Sequence, residues 1–465
     1  MLIERIDELK EELVKDTQKI LRINSVVKYN EGNKKFGSGA EKVLETTLNI
    51  AKDMGFKTVN LDGIVGYVEY GEGDEYVAVL GHLDVVPEGD GWFYPPYGAE
   101  IHDGKIYARG ALDDKGPMMA SLYGLKAIKD SGIKLSKRIR IIFGIDEENG
   151  SDIDIAHYLK NEPMPCAGFT PDAEFPIIFA EKGILTFEMK TPTIHPVLGN
   201  GDVEVLSING GNKANMVPDY CEAIIKYKDI NHLIDIVDEV KRKTQIEVVV
   251  NAEKDHTIHI KAYGISAHGS TPEKGKNAIV AICKVLHAFG GERTLARYIE
   301  TMSENIGFDT TGKGMGVAMN DDESGALSYN LGIIKYDGKK IVSTSNLRYP
   351  VTKTDEDVLE PLKKMANENG YKIDVIAHQK PLHIDKNSEL IKTLQKVYTE
   401  ETGKEAELLA IGGGTYAKCM DNIVAFGPIF PGKPDLDHQA NEYIEIEDLV
   451  ACAKIYGNAM YELAK

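Results

Sequence analysis

Residues 1–180 alternate between two hydrophobic periods. Residues 76–82 (YVAVLGH) and 139–145 are short apolar, β-branched runs of the kind that forms buried strands. Residues 116–131 (GPMMASLYGLKAIKDS) instead place apolar side chains at helical spacing. Strands alternating with helices imply an α/β layer, a mixed or parallel sheet flanked by helices. The first fourteen residues, MLIERIDELKEELV, are broken by charge every two or three positions and predict an amphipathic helix rather than a secretory signal.

The middle of the chain has a different order. Residues 202–262 read strand (203–209), strand (219–228), helix (231–243), strand (245–251). The order then recurs: Asp337-Gly338 is a hairpin turn between strands 328–336 and 340–349, followed by a helix at 355–369 and a strand at 371–377. Two similar β-β-α-β subunits in one segment suggest an internal duplication. The α/β pattern returns with a helix at 387–401, a buried strand at 422–427 and a terminal helix at 446–463. The expected organisation is one α/β domain in two parts, 1–183 and 381–465. An α/β domain of two pseudo-repeated sandwiches, 184–380, interrupts it. A chain of 465 residues is longer than one hydrophobic core usually serves, which fits this division.

Composition narrows the partners. With 42% apolar and 27% charged residues the chain has an ordinary soluble composition. A net charge of −19 repels phosphate backbones, so no nucleic-acid partner is expected. No apolar run approaches the ~20 residues that a membrane span needs. Cys166, Cys221, Cys283, Cys419 and Cys452 are odd in number, far apart and form no CxxC pair. That argues against a disulfide scaffold and points to a reducing, cytoplasmic setting.

Five short words carry chemistry. In Gly81-His82-Leu83-Asp84, His82 and Asp84 are two apart, so on an extended chain both face the same way, and Asp84 can hold the ring of a metal-binding imidazole from behind. Asp113-Asp114 precede a helix start marked by Gly116-Pro117. Asp146-Glu147-Glu148 follow directly on a buried strand, where open α/β sheets bind ligands. Asp172 lies in Pro171-Asp172-Ala173-Glu174, and His438 in Asp437-His438-Gln439. Taken singly, each has an ordinary reading: a structural histidine, a helix cap, a charged loop. Taken together, His82, Asp113, Glu148, Asp172 and His438 offer the two imidazoles and three carboxylates that a pair of Zn²⁺ ions sharing one bridging carboxylate requires.

The words GHLDVVP, ARGALDDKGP, IDEENGS, TPDAEFP and DHQANE, in this order, resemble the M20 metallopeptidases, in the bacterial dipeptidase branch typified by dipeptidase V. The resemblance spans essentially the whole chain, insertion included. It implies Asp113 as the bridging ligand, His82 and Asp172 completing one metal position, and Glu148 and His438 the other. Glu147 matches the general base and acid, Asp84 the residue that clamps His82, and the Asp113–Asp114 bond a cis peptide. The inserted domain matches a lid. There His268 matches the histidine that supports the oxyanion, while Asn215 and Arg348 match residues that hold the substrate carboxylate. Gly413, Gly414 and Thr415 match backbone that meets the same carboxylate. The implied activity is hydrolysis of dipeptides with two Zn²⁺ per chain, although such ligands also accept Mn²⁺ or Co²⁺. An N-acyl amino acid deacylase or desuccinylase would share the same centre, and a non-enzymatic peptide binder would need no Glu147. A doubled lid can supply within one chain what relatives obtain from a dimer partner, so a monomer is expected.

Overall fold

The computed structural model describes residues 2–29, 35–150, 153–191 and 195–465; Met1 and Ser151, read above in the first helix and in IDEENGS, lie outside them. The chain forms two compact units. One comprises Met1–Ala180, Ile384–Ala410 and Gly414–Lys465; the other comprises Glu181–His383 and Ile411–Gly413. Among the described residues, no helix is long and apolar enough to cross a membrane.

The first unit is built on a mixed sheet. Lys57–Leu61, Val65–Tyr70 and Arg138–Gly144 pair antiparallel in turn. Arg138–Gly144, Tyr76–His82, Ala167–Thr170 and Ile423–Ala425 then run parallel to one another. All seven residues of Tyr76–His82 are buried, which is why this strand reads as a continuous apolar run instead of an alternating one. The helices Lys115–Asp130 and Ile446–Ala464 pack on each other and on this sheet. Their approach is set by glycine: a Cβ added to Gly124 would lie 2.9 Å from the backbone of Gly457.

The parallel register matters for the site. His82 pairs with Gly144 and Val79 with Phe169, so three central strands end at one edge of the sheet. That edge is where the His82, Glu147–Glu148 and Asp172 words leave their strands.

The second unit is built on one large antiparallel sheet. Its order is Glu247–Ala252, Thr257–Tyr263, Tyr220–Lys226, Val203–Gly210, Ser328–Tyr336, Ile341–Tyr349, Gly183–Thr191 and Lys372–Gln379. The two β-β-α-β orders read from the chain meet where Ile208–Gly210 pair with Ile334–Tyr336. Two elements were not read from the pattern. Thr257–Tyr263 inserts between the first pair of strands and the strand after their helix, and Gly183–Thr191 completes the second half. The helices are the expected ones: Ile230–Thr244, N-capped by Asp229, and Asp355–Asn369, closed by a capping box of Thr354 and Asp357. The apolar helix Ala278–His287 fills the core beneath the sheet.

Candidate metal centre

Five side chains from distant parts of the first unit converge. His82 Nε2 lies 2.9 Å from Asp113 Oδ1 and 3.7 Å from Asp172 Oδ1. His438 Nε2 lies 3.1 Å from Asp113 Oδ2 and 2.9 Å from Glu148 Oε2. The two carboxylate oxygens of Asp113 therefore face different imidazoles. Two donor groups result, His82–Asp113–Asp172 and Asp113–Glu148–His438, and within each the donor atoms lie within 4.8 Å of one another.

The residues fit a cation pair on two observations. First, His82 Nδ1 is 3.0 Å from the backbone carbonyl of Asp84, which sets that nitrogen as the donor and turns the Nε2 lone pair toward the cluster. His82 is fully buried, yet Nε2 makes no hydrogen bond despite its short distance to Asp113. Second, the carboxylates outnumber the imidazoles. Burial and the neighbouring Asp172 push the Glu147 carboxyl far above its usual range. Burial and Asp113 raise Glu148 to about 7, and burial, against the pull of His82, raises Asp172 to about 6. His438 is held up at about 11 by Asp113 and Glu148 against the opposing effect of burial. Such a pocket is short of positive charge, which divalent ions supply.

Local structure explains how each group is presented. A Cβ at Gly81 would fall 2.1 Å from Asp114 Oδ2, and without it the His82 amide donates to that oxygen at 3.2 Å. The Asp113–Asp114 peptide is cis. The Asp84 carboxylate, expected to clamp His82, lies 3.4 Å from Nδ1, while the hydrogen bond goes to its backbone oxygen. The carboxylate instead accepts the backbone amides of Glu147 (3.2 Å) and Glu148 (3.1 Å), fixing the turn that carries both glutamates. His438 is reached on a turn with φ 64°, and its side chain is 57% exposed.

Some contributors were not legible as site residues. Asp154 is fully buried; its Oδ2 accepts the amides of Ile145 (2.7 Å) and Asp146 (3.1 Å) and the hydroxyl of Tyr416, whose ring packs edge-on to His82. Glu442 closes the word DHQANE and is fully buried against Arg109 at 2.7 Å. Opposite charges in two quoted words were the available signal, but nothing local says that positions 109 and 442 meet.

The remaining expected residues lie mostly in the second unit. Asn215 and His268 stand on neighbouring loops joined by the Met216–His268 bridge and by Gly269 N donating to Asn215 O at 2.7 Å. Arg348 sits on Ile341–Tyr349 and is 4% exposed. Its Nε donates to Asn346 Oδ1 (2.9 Å) and Nη1 to Gly412 O (2.8 Å), and among the described residues no carboxylate pairs with it. Burial lowers this guanidinium to about 10. Gly413 belongs to the second unit; Gly414 and Thr415 belong to the first, where Thr415 Oγ1 caps Tyr416–Cys419 by accepting from Ala417 N.

A mixed α/β unit carrying two carboxylate–imidazole groups around one shared aspartate defines a candidate metallohydrolase. Residues 78–462 match the peptidase family M20/M25/M40, and the chain belongs to that family. It is 42% identical over 459 residues to "Putative dipeptidase YtjP" of Bacillus subtilis, covering 98% of each chain. It is 35% identical over 465 residues to a "Putative dipeptidase" of Staphylococcus epidermidis, covering 99% of this chain and 98% of the relative. The fold is also that of human carnosine dipeptidase 1, at a TM-score of 0.57 and 16% identity, with 99% of this chain and 98% of the other covered.

Proposed function

We propose that the chain is a dinuclear-zinc dipeptidase acting on dipeptides with a free C-terminal carboxylate. The observation that carries this reading is Asp113, whose two oxygens each face a different imidazole Nε2. His82 and Asp172 would complete one metal position, and Glu148 and His438 the other. When bound, the ions would polarise the scissile carbonyl and lower the pKa of the attacking water.

The chain's own residues supply the rest. Glu147 takes the proton of the attacking water and returns it to the leaving amine. Asp84 keeps Glu147 and Glu148 in register through their amides. We assign His268 to the developing oxyanion. Arg348, with Asn215 and the backbone at Gly413, Gly414 and Thr415, is assigned to the substrate carboxylate. A fixed carboxylate anchor limits how much chain can follow the scissile bond, which favours dipeptides over longer substrates. Names carrying dipeptidase among relatives that match nearly end to end support the substrate class. The doubled sheet of the second unit supports a monomer.

The experiment is a hydrolysis panel on metal-stripped protein refilled with Zn²⁺, Mn²⁺ or Co²⁺, comparing dipeptides with N-acetyl and N-succinyl amino acids. Turnover of dipeptides at least 100-fold above the acylated compounds is expected. The reverse preference overturns the substrate assignment.

A further inference from the structure

One fully buried acid near the centre stands outside the candidate ligand set. Glu442 is fully buried, and its side chain accepts four hydrogen bonds: from Arg109 Nη1 (2.7 Å), Gly110 N (3.1 Å), Leu112 N (2.8 Å) and Asp113 N (3.2 Å). Its backbone carbonyl takes a fifth, from Ala108 N at 3.1 Å. Four of these five donors are backbone amides of the 108–113 loop that ends on Asp113. Arg109, itself 1% exposed, is held in turn by stacking over Trp92 at 5.3 Å and by donating to Glu88 O at 3.3 Å.

His438 stands four residues before Glu442. Its side chain is more than half exposed, and it sits on a left-handed turn between the half-buried Asp437 and the exposed Gln439. By contrast, His82 ends a buried central strand, and Asp172 closely follows another. The segment carrying His438 is thus moored to the segment carrying Asp113 by the Glu442 carboxylate.

We infer that Glu442, paired with Arg109, is a positioning residue that sets the spacing between Asp113 and His438 and so selects occupancy of the Asp113–Glu148–His438 position. This rests on the two-metal reading above. Glu442 touches no ion or substrate; it acts through the backbone that presents Asp113 and through the turn that presents His438.

The test is Zn²⁺ titration of metal-stripped protein against a chromophoric chelator, with no substrate present. Wild type should bind two ions. Glu442→Gln, which cannot pair with Arg109 as a charge, should bind the first within about threefold of wild type and the second about 10- to 100-fold more weakly. If Glu442→Gln does not fold, Glu442→Asp serves. It keeps the charge but is too short to span Arg109 and the Gly110–Asp113 amides, and it should show the same selective loss. Unchanged affinities at both positions, or equal losses at both, overturn the inference. A wild-type protein that takes up only one ion instead defeats the two-metal reading on which it rests.

Discussion

Removing the Arg348 guanidinium tests its proposed role as the substrate anchor. Burial alone lowers Arg348 from 12.5 to about 10, and its bonds go to two neutral oxygens. At about 1.36 kcal/mol for each tenfold change, the free protein holds this charge at a cost of about 3 kcal/mol. A substrate carboxylate returns much of that by pairing with it, so Arg348→Met should lower kcat/KM on dipeptides about 100-fold or more. The loss should fall below about threefold on the same dipeptides amidated at the C-terminus. Stability should change little. Relief of the buried charge, about 3 kcal/mol, roughly offsets two lost charge-assisted hydrogen bonds worth about 1.5 kcal/mol or more each. Steady-state kinetics on paired acid and amide substrates, with urea unfolding of the substrate-free protein, measure both. Equal losses on acid and amide would refute the anchor, and a large drop in stability would refute the claim that the charge is uncompensated.

Other outcomes follow from the same geometry. Glu147→Gln should bind both metals with near wild-type affinity while kcat falls by about 10²–10⁴, as checked by metal analysis beside single-turnover kinetics. Asp84→Asn leaves one acceptor for the two amides of Glu147 and Glu148, and chelator competition should show about 10- to 100-fold weaker metal binding. Glu69 gives a pH prediction far from the centre. Burial pushes its carboxyl up, but Lys57, Arg140 and Arg138 overcome that and hold it at about 2. Because the folded value lies below the unfolded one, its contribution is fully present above about 4.5 and is lost as pH falls toward 2. Glu69→Gln should therefore cost about 2–3 kcal/mol at pH 7 and much less at pH 3; an equal gap in urea midpoints at both values speaks against it.

What could be read from the chain follows the range of the interactions involved. The buried strand Tyr76–His82, the helix Lys115–Asp130 and the capped helix Asp355–Asn369 each announce themselves by a local period, a cap or a breaker. Thr257–Tyr263 did not, because its place between two earlier strands is decided by pairing with Tyr220–Lys226 rather than by its own few residues. The candidate ligand residues were legible because each stands in a distinctive local word. Their support was not. The Asp84 carboxylate lies near the His82 ring, as the spacing of two implies, but its bonds to the amides of Glu147 and Glu148, more than sixty positions away, were not legible. Arg109 and Glu442 likewise meet because Tyr443–Glu445 pairs antiparallel with Lys105–Tyr107, a pairing of two short segments far apart in sequence that no local pattern announces.

The account stands on Asp113 serving two metal positions at once, and counting ions tests that directly. Elemental analysis of zinc-loaded, desalted protein should give two ions per chain for wild type and one for His438→Ala. Asp113→Asn should retain neither tightly. One ion in wild type, or two retained by Asp113→Asn, would contradict a shared carboxylate at the core of the site.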